Sequence, residues 1–367
     1  MSTPGFQQRP SLGQSVKLGR LYNAITDTFL AESLFNDNNP PPGAVDQRPF
    51  TSTRFNLGSS TTVAERCSLL GISPELGTSA TIGLTKIEGS SCYLTSQDDT
   101  NLALHCTTTT FEEELNFTSP DIKASLATTS IEPGTATHVV GGIRYGTEWV
   151  FACNNSQKVT SPSGTSQSPE SFLRHVKEAL VSGKNPNNFP SSHSPSQDNS
   201  SLSANFVIFS NLLRQNPWSG SVTMHDLWHL VQQGEKSVGQ DDNKSGTTYV
   251  FPTLYILVPL SMLSFFRLLE MKGDFTICQP SLECLQQSLA LLSEAAAASK
   301  SVDSYLQRSR SHIAADPAHV RQIEHKIRQY NKSTETFKKN LALILSGNRS
   351  GSHDNDSLSK LCQAFQL

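Results

Sequence analysis

The spacing of apolar residues changes once along this chain, near residue 262, and that change most limits how the chain can fold. Upstream, apolar residues recur at every second position, as in Leu102, Leu104 and Cys106, and again in Ile122, Ala124 and Leu126 within Asp121–Ile131. A period of two is that of a strand with one buried face. Thr137–Val140 and Glu148–Cys153 read as two further strands, separated by Gly141, Gly142 and Gly146. Glycines inside a strand pattern mark a bulge, a bend or a close backbone approach. Ala204–Leu213 and Thr247–Leu260 continue the strand signal. Downstream, Leu282, Leu285, Leu289 and Leu292 step by three and four, and so do Val320, Ile323, Ile327, Tyr330, Thr334, Phe337, Leu341 and Ile344. That is helical spacing, in the second case a heptad stripe with one polar member. Asp316-Pro317 offers a cap and a first-turn proline, Gly347 a stop, and Ser357–Leu367 a last short helix. The expected organisation is a tail at 1–10, a β-rich domain at 11–262 and a helical bundle at 263–367. The heptad stripe serves packing within that bundle or a partner chain.

Composition narrows the function classes. Of 367 residues, 36% are hydrophobic and 17% charged, both low for a soluble domain. Ser, Thr and Asn fill the gap, which suits strands and loops and excludes collagen, an end-to-end coiled coil or a wholly disordered chain. A net charge of -3 gives no electrostatic reason to expect a nucleic-acid partner. The seven cysteines contain no C-x-x-C pair, so reduced, mostly buried thiols are expected; Cys278 and Cys284 read as packing residues. Met1–Pro10 lacks the apolar core of a signal peptide. The longest apolar run, Tyr249–Phe266, is broken by Pro252 and Pro259 and reads as a buried strand entering a helix rather than a membrane span. The expectation is a soluble protein, cytoplasmic or released without a signal peptide.

No motif makes a case for catalysis, so an enzyme, a cofactor and a metal are not expected. There is no phosphate-binding glycine loop and no nucleophile elbow. His225-Asp226-Leu227-Trp228-His229 places two histidines four apart, as a zinc helix does. The carboxylate is Asp226 rather than the longer Glu, and no third ligand follows; an amphipathic helix is the simpler reading. Pro169–Val181 is expected to be a helix capped by Ser168, with a stripe of Phe172, Leu173, Val176 and Leu180. It lies between two Ser/Pro/Asn-rich loops within Asn154–Ser203.

Leu70–Lys86 carries the most unusual pattern. Its even positions include Ile72, Leu76, Ala80, Ile82 and Leu84; its odd positions are Ser73, Glu75, Gly77, Ser79, Thr81 and Thr85. Extended, it has one apolar and one small polar face, as a barrel strand between lipid and water requires. A half-buried permanent strand, or a short helix against a sheet, gives the same pattern.

Three patches in register resemble the N-terminal region of the stonustoxin family of fish cytolysins. They are Leu12-Gly13, Leu18-Gly19, Leu21-Tyr22, Asp27 and Leu34-Phe35 within Ser11–Asp37; GTATHVVGGIRYG at Gly134–Gly146; and Phe251–Leu260 with Pro259-Leu260. The resemblance implies an α+β fold: a bent antiparallel four-stranded MACPF/CDC-like sheet flanked by helices, plus a C-terminal all-α bundle similar to a focal-adhesion-targeting domain. It implies a bend at Thr137, His138, Val139, Gly141 and Gly142. It also implies two convertible segments, Glu65–Gln97 and Asn154–Ser203, which leave the sheet and join an oligomeric barrel in pore-forming relatives. On this reading Ile72, Leu76, Ala80, Ile82 and Leu84 form the candidate membrane-inserting face. The expected partners are target membrane lipids and either a homo-oligomer or a related second subunit. Two departures are plain. Thr135-Ala136-Thr137 stands where the wider superfamily has an aromatic-glycine pair, and the second segment holds Pro162, Pro169, Pro186, Pro190 and Pro195, which cannot donate to a strand ladder. The alternative to a membrane-perturbing, pore-forming protein is a non-lytic scaffold that keeps the fold and binds a partner through its helical domain.

Overall fold

Long strands need backbone partners, and this chain arranges them around one central strand. The computed structural model describes residues 6–127, 136–156, 159–160, 166–182, 203–213, 217–237, 251–263, 280–311, 317–349 and 355–365. The strands are β1 (Gln7–Pro10), β2 (Arg20–Asn23), β3 (Thr28–Ser33), β4 (Val45–Ser59), β5 (Leu102–Leu115), β6 (His138–Cys153), β7 (Val159–Thr160), β8 (Ser166–Gln167), β9 (Ser203–Ser210), β10 (Trp218–Thr223) and β11 (Phe251–Pro259). The helices are α1 (Val63–Leu70), α2 (Pro74–Thr81), α3 (Pro120–Ser125), α4 (Pro169–Ser182), α5 (Met224–Ser237), α6 (Leu282–Ser311), α7 (Pro317–Arg349) and α8 (Asn355–Phe365).

One antiparallel sheet holds the eleven described strands. β6 pairs along one side with β5, which in turn pairs with β4. Along its other side β6 changes partner: His138–Gly146 pairs with β11 and Trp149–Ala152 with β9. A line across either half therefore crosses four main strands. The expected four-stranded sheet is the centre of a larger one, widened by β1 on β11, β10 on β9 and the β2–β3 hairpin at the foot of β6. Residues 7–10, read as part of a tail, are the strand β1.

The bend lies where register shifts line up across the sheet. Pro49–Ser52 in β4, Thr109–Phe111 in β5 and Pro252–Leu254 in β11 each carry a shift, all opposite Arg144–Gly146 of β6 or the strand beside it. Bulges bend a strand and tighten its twist, so three at one level kink the whole layer. Gly146 is obligatory there, because a Cβ would lie 1.8 Å from the Thr108 carbonyl oxygen. Thr137, His138, Gly141 and Gly142 lie at the foot of β6, where a separate shift between Ile256 and Leu257 faces Gly141.

Several local expectations are corrected. The two strands read around the glycines are one continuous β6. Asp121–Ile131 is not a strand: Ser119 caps α3, Pro120 occupies its first turn, and Ala124 is exposed while Ile122 is buried. Residues 128–131 of that range lie outside the described residues. Leu70–Lys86 is not extended. Thr62 and Glu65 form a reciprocal capping box at α1, Gly71 (φ 68°) ends it, and Ser73 with Pro74 restarts the helix as α2. Gly347 does not stop α7, which runs to Arg349 with Gly347 buried. Cys278 lies outside the described residues.

Helices cover both faces of the upper sheet. α4 and α5 bury Phe172, Leu173, Val176, Leu180, Leu227 and Val231 against Trp149, Phe151 and Phe206. On the opposite face, α1 and the 3-10 helix Gly89–Thr95 bury Leu69 and Tyr93 against Ala103, Val150, Ala152 and Phe209. α6, α7 and α8 enclose a separate core of Leu285, Leu292, Phe337, Leu341, Leu345 and Leu358. Gly146→Ala is expected to destabilise the fold by ~3 kcal/mol, because one methyl must displace backbone rather than a side chain. Thermal unfolding checks this; a melting temperature within a degree of wild type would contradict it.

Candidate functional site

The residues joining β4 to β5 form the most distinctive site. Ser59 pairs with Leu102, so the two strands end at one level of the sheet. The intervening chain folds back as α1, α2 and the 3-10 helix rather than continuing the ladder.

Three sets of contacts hold this segment. At the top, Arg66 is buried: its guanidinium donates to the carbonyl oxygens of Ser60 (2.9 Å), Tyr93 (3.3 Å) and Ser96 (2.6 Å), and its Cζ lies 5.1 Å from the Tyr93 ring. The Leu69 carbonyl, an orphan acceptor at the end of α1, receives Asn56 Nδ2 (2.9 Å) and faces His105 Nδ1 (3.1 Å). In the middle, Ser90 Oγ donates to the Glu148 carboxylate (2.7 Å). Glu148 sits where β6 passes from β11 to β9; its N–H donates to Asn211 Oδ1 (3.0 Å), and Asn211 Nδ2 donates to Gly146 O (3.3 Å). A side-chain amide thus fills the break between the two partner strands. At the foot, Arg9 Nε donates to Asp27 Oδ1 (3.1 Å) and Arg9 Nη2 to Thr85 Oγ1 (2.9 Å), while Thr85 Oγ1 donates to Asp27 O (2.5 Å). Glu88 N–H donates to Leu12 O (2.8 Å). Gly13 (φ 76°) must lack a side chain, because a Cβ would meet Glu88 O at 2.2 Å.

Burial sets the titration of the groups beneath the segment. Glu148 is pushed up to about 7 by burial, opposed by the Ser90 hydrogen bond. His105 is pushed down to about 4 by burial, opposed by the Leu69 carbonyl. Burial raises the Cys67 thiol to about 12, and its Sγ packs on Gly77. The signs oppose. Protonation of Glu148 favours the docked segment, and that stability is lost as pH rises through about 7. Neutral His105 favours docking, and that stability is lost as pH falls from its unfolded value toward about 4.

The sequence-read residues fall into separate places. Ile72, Leu76 and Ala80 are buried together in one cluster with Leu12, Leu94 and Leu289. Ile82 packs on the bundle core instead, and Leu84 is half-buried. At the foot of β6, Thr137 Oγ1 accepts from Ala24 N (2.8 Å) and lies 2.8 Å from His138 Nδ1. His138 is lowered to about 4 by burial. In the heptad stripe, Phe337 and Leu341 are buried, Ile323, Ile327 and Ile344 half-buried and Tyr330 exposed. The Val320 side chain lies outside the described residues. Phe337 stacks on Phe365 at 4.2 Å. His225 and His229 stand with ring centroids 4.4 Å apart on α5, while Asp226 accepts from Thr223 N (2.9 Å) and Oγ1 (2.7 Å) as a helix cap. Among the described residues no group of three metal-ligating side chains occurs. Of Asn154–Ser203, residues 157–158, 161–165 and 183–202 lie outside the description; α4 within it buries the expected stripe. Sequence reasoning missed Arg9, Arg66, Glu148 and Asn211. Only Gly146 left a visible signal, as a glycine inside a strand.

The family model described as "SNTX, MACPF/CDC-like domain" matches residues 6–271. Stonustoxin subunit alpha of Synanceia horrida is 32% identical over 158 residues, which cover 41% of this chain and 22% of the relative. Neoverrucotoxin subunit beta of Synanceia verrucosa is 25% identical over 250 residues, 66% of this chain and 34% of the relative. Cytolytic toxin-alpha of Scorpaena plumieri is 30% identical over 153 residues, 40% of this chain and 21% of the relative. A solved stonustoxin structure superposes with a TM-score of 0.50 at 17% identity, covering 98% of this chain and 47% of that one. The chain spans less than half the length of these relatives. Among the described residues no helix is long and apolar enough to cross a membrane.

Glu148→Gln keeps the Ser90 acceptor but removes the charge. It is expected to raise the melting temperature more at pH 8 than at pH 5. Equal gains at both pH values would show that Glu148 does not titrate in this window.

Proposed function

Because this chain belongs to the SNTX, MACPF/CDC-like domain family, we propose that it is a pore-forming, cytolysin-like protein. It oligomerises on a target membrane and inserts the segment between β4 and β5 as an amphipathic hairpin. The observation that carries this reading is the pairing of Ser59 with Leu102. A segment that leaves the sheet from that level extends β4 and β5 in their existing register. Roughly 20 residues per arm at ~3.3 Å each exceed the 9–11 that a tilted membrane strand needs.

The physics of insertion supports oligomerisation. Within lipid every backbone group must be paired, so a lone hairpin cannot insert; hairpins from neighbouring copies must close a barrel. Among the described residues β4 pairs only with β5, and its outer edge along Val45–Ser59 is a template for a neighbour's strand. The relatives named as alpha and beta subunits make a related second subunit a natural partner, and the relative named a cytolytic toxin supports lysis. Ile72, Leu76 and Ala80, buried in the helical form, would face lipid in the strand form. The non-lytic scaffold reading is favoured by the five prolines of Asn154–Ser203, and it predicts that vesicles stay intact.

Release of a trapped dye from liposomes, with electron microscopy of the same sample, tests the proposal: leakage and rings are expected, and intact vesicles across neutral, anionic and sterol-containing compositions would refute it. A lock sharpens the test. A Cβ at Gly77 would lie 3.6 Å from Cys67 Cβ, within disulfide range. As one extended strand the same positions would stand ~33 Å apart. Oxidised Gly77→Cys should therefore leak at least tenfold more slowly than its reduced form. Equal rates would mean that α1 and α2 need not unfold.

A further inference from the structure

The apolar face of the convertible segment is not what packs on the sheet. Leu69 and Tyr93 make the sheet-side contact. Val63, Cys67, Ile72, Leu76 and Ala80 turn away from it, into a cluster closed by Leu289 of α6, itself fully buried. The N-terminus of α1 is completed by the same helix. Thr62 Oγ1 accepts the Glu65 N–H (3.1 Å), and the first N–H of the helix, at Val63, donates to Ser293 Oγ (3.0 Å). Ser293 donates onward to the Leu289 carbonyl (2.7 Å), so its hydroxyl is fixed in the accepting orientation. Ile82, just beyond α2, packs on the bundle core of Leu285 and Phe337. At the rim, Lys300 Nζ lies 3.7 Å from Asp99, an exposed pair that adds little.

We infer that the helical bundle is a clamp: α6 holds the convertible segment closed by covering its apolar face and capping α1, and it must part from α1–α2 before the hairpin can extend. This rests on reading the segment between β4 and β5 as convertible. The sheet alone cannot keep the segment hidden, because the side chains bound for lipid lie on its far side. Two short helices joined at Gly71, eight residues each, are too short to persist without tertiary packing. Separation of α6 therefore both exposes the apolar face and frees the helices to unfold. The N-terminal contacts at Thr85 and Glu88 are a second restraint, at the other end of the segment, and stay in place when α6 leaves.

Hydrogen exchange on the full chain in solution, at one pH, tests the clamp without requiring lysis. Leu289→Ala should raise exchange across residues 63–81 at least tenfold while β5 and β6 keep wild-type rates. Ser293→Ala, which leaves the bundle core untouched, should raise exchange several-fold at the start of α1. Wild-type rates across 63–81 in both variants would overturn the inference, as would acceleration confined to the bundle. Dye release separates the two readings. If wild type leaks and Leu289→Ala leaks no faster, the clamp is wrong while pore formation stands. If neither leaks but exchange in 63–81 rises as stated, the clamp stands and the pore-forming reading fails.

Discussion

The proposed conversion depends on the backbone ladder between β4 and β5 ending at Ser59 and Leu102. Two adjacent antiparallel strands that finish together are ordinarily joined by a turn of a few residues. Here roughly 40 residues intervene, far more than a compact domain needs for a hairpin. Those residues cannot thread the sheet and must lie on one of its faces. Their hydrogen-bonding groups are satisfied locally by helix formation, and their apolar side chains by whatever covers them.

The segment is consequently divided between two supports. Sheet-side side chains reach up to it: Asn56 and His105 to the Leu69 carbonyl, and Glu148 to the Ser90 hydroxyl. The helical bundle covers the opposite, apolar face through Leu289. The contacts to the sheet combine these polar bonds with the packing of Leu69 and Tyr93, whereas the bundle covers the apolar face and adds the Ser293 cap. The kink belongs to the same design. Three register shifts at the level of Gly146 bend the sheet immediately below Glu148, where β6 exchanges β11 for β9 and Asn211 bridges the break. A change in curvature at that level would move Ser90 and the carboxylate beneath it together.

Much of the fold was legible in the sequence because its long-range period is strong. The alternation at Leu102–Cys106, the stripe Phe172–Leu180 and the three-four spacing from Leu282 onward each became the element they indicate. The family followed from short patches, none sufficient by itself. Legibility failed where capping chemistry competes with alternation. In Leu70–Lys86 the alternation of Ile72, Leu76, Ala80, Ile82 and Leu84 suits a strand, yet Thr62 with Glu65 and Ser73 with Pro74 nucleate helices, and Ile72, Leu76 and Ala80 still find one cluster. Both readings of that pattern are physical. Ser119-Pro120 overrides the apparent strand at Ile122 in the same way. Of the candidate site, the apolar face was readable and the restraints were not. Arg9 meets Asp27 and Thr85, and Glu148 meets Ser90, across separations that no local pattern records.

The central claim, that the chain between β4 and β5 leaves the sheet on membranes, is tested most directly by one distance. Spin labels at exposed Arg54 of β4 and exposed Ser68 of α1 flank the contact in which Asn56 Nδ2 donates to the Leu69 carbonyl at 2.9 Å. On leaking vesicles the account predicts a lengthening to ~45 Å, the span of fourteen extended residues. An unchanged distance on vesicles that are demonstrably leaking would contradict it.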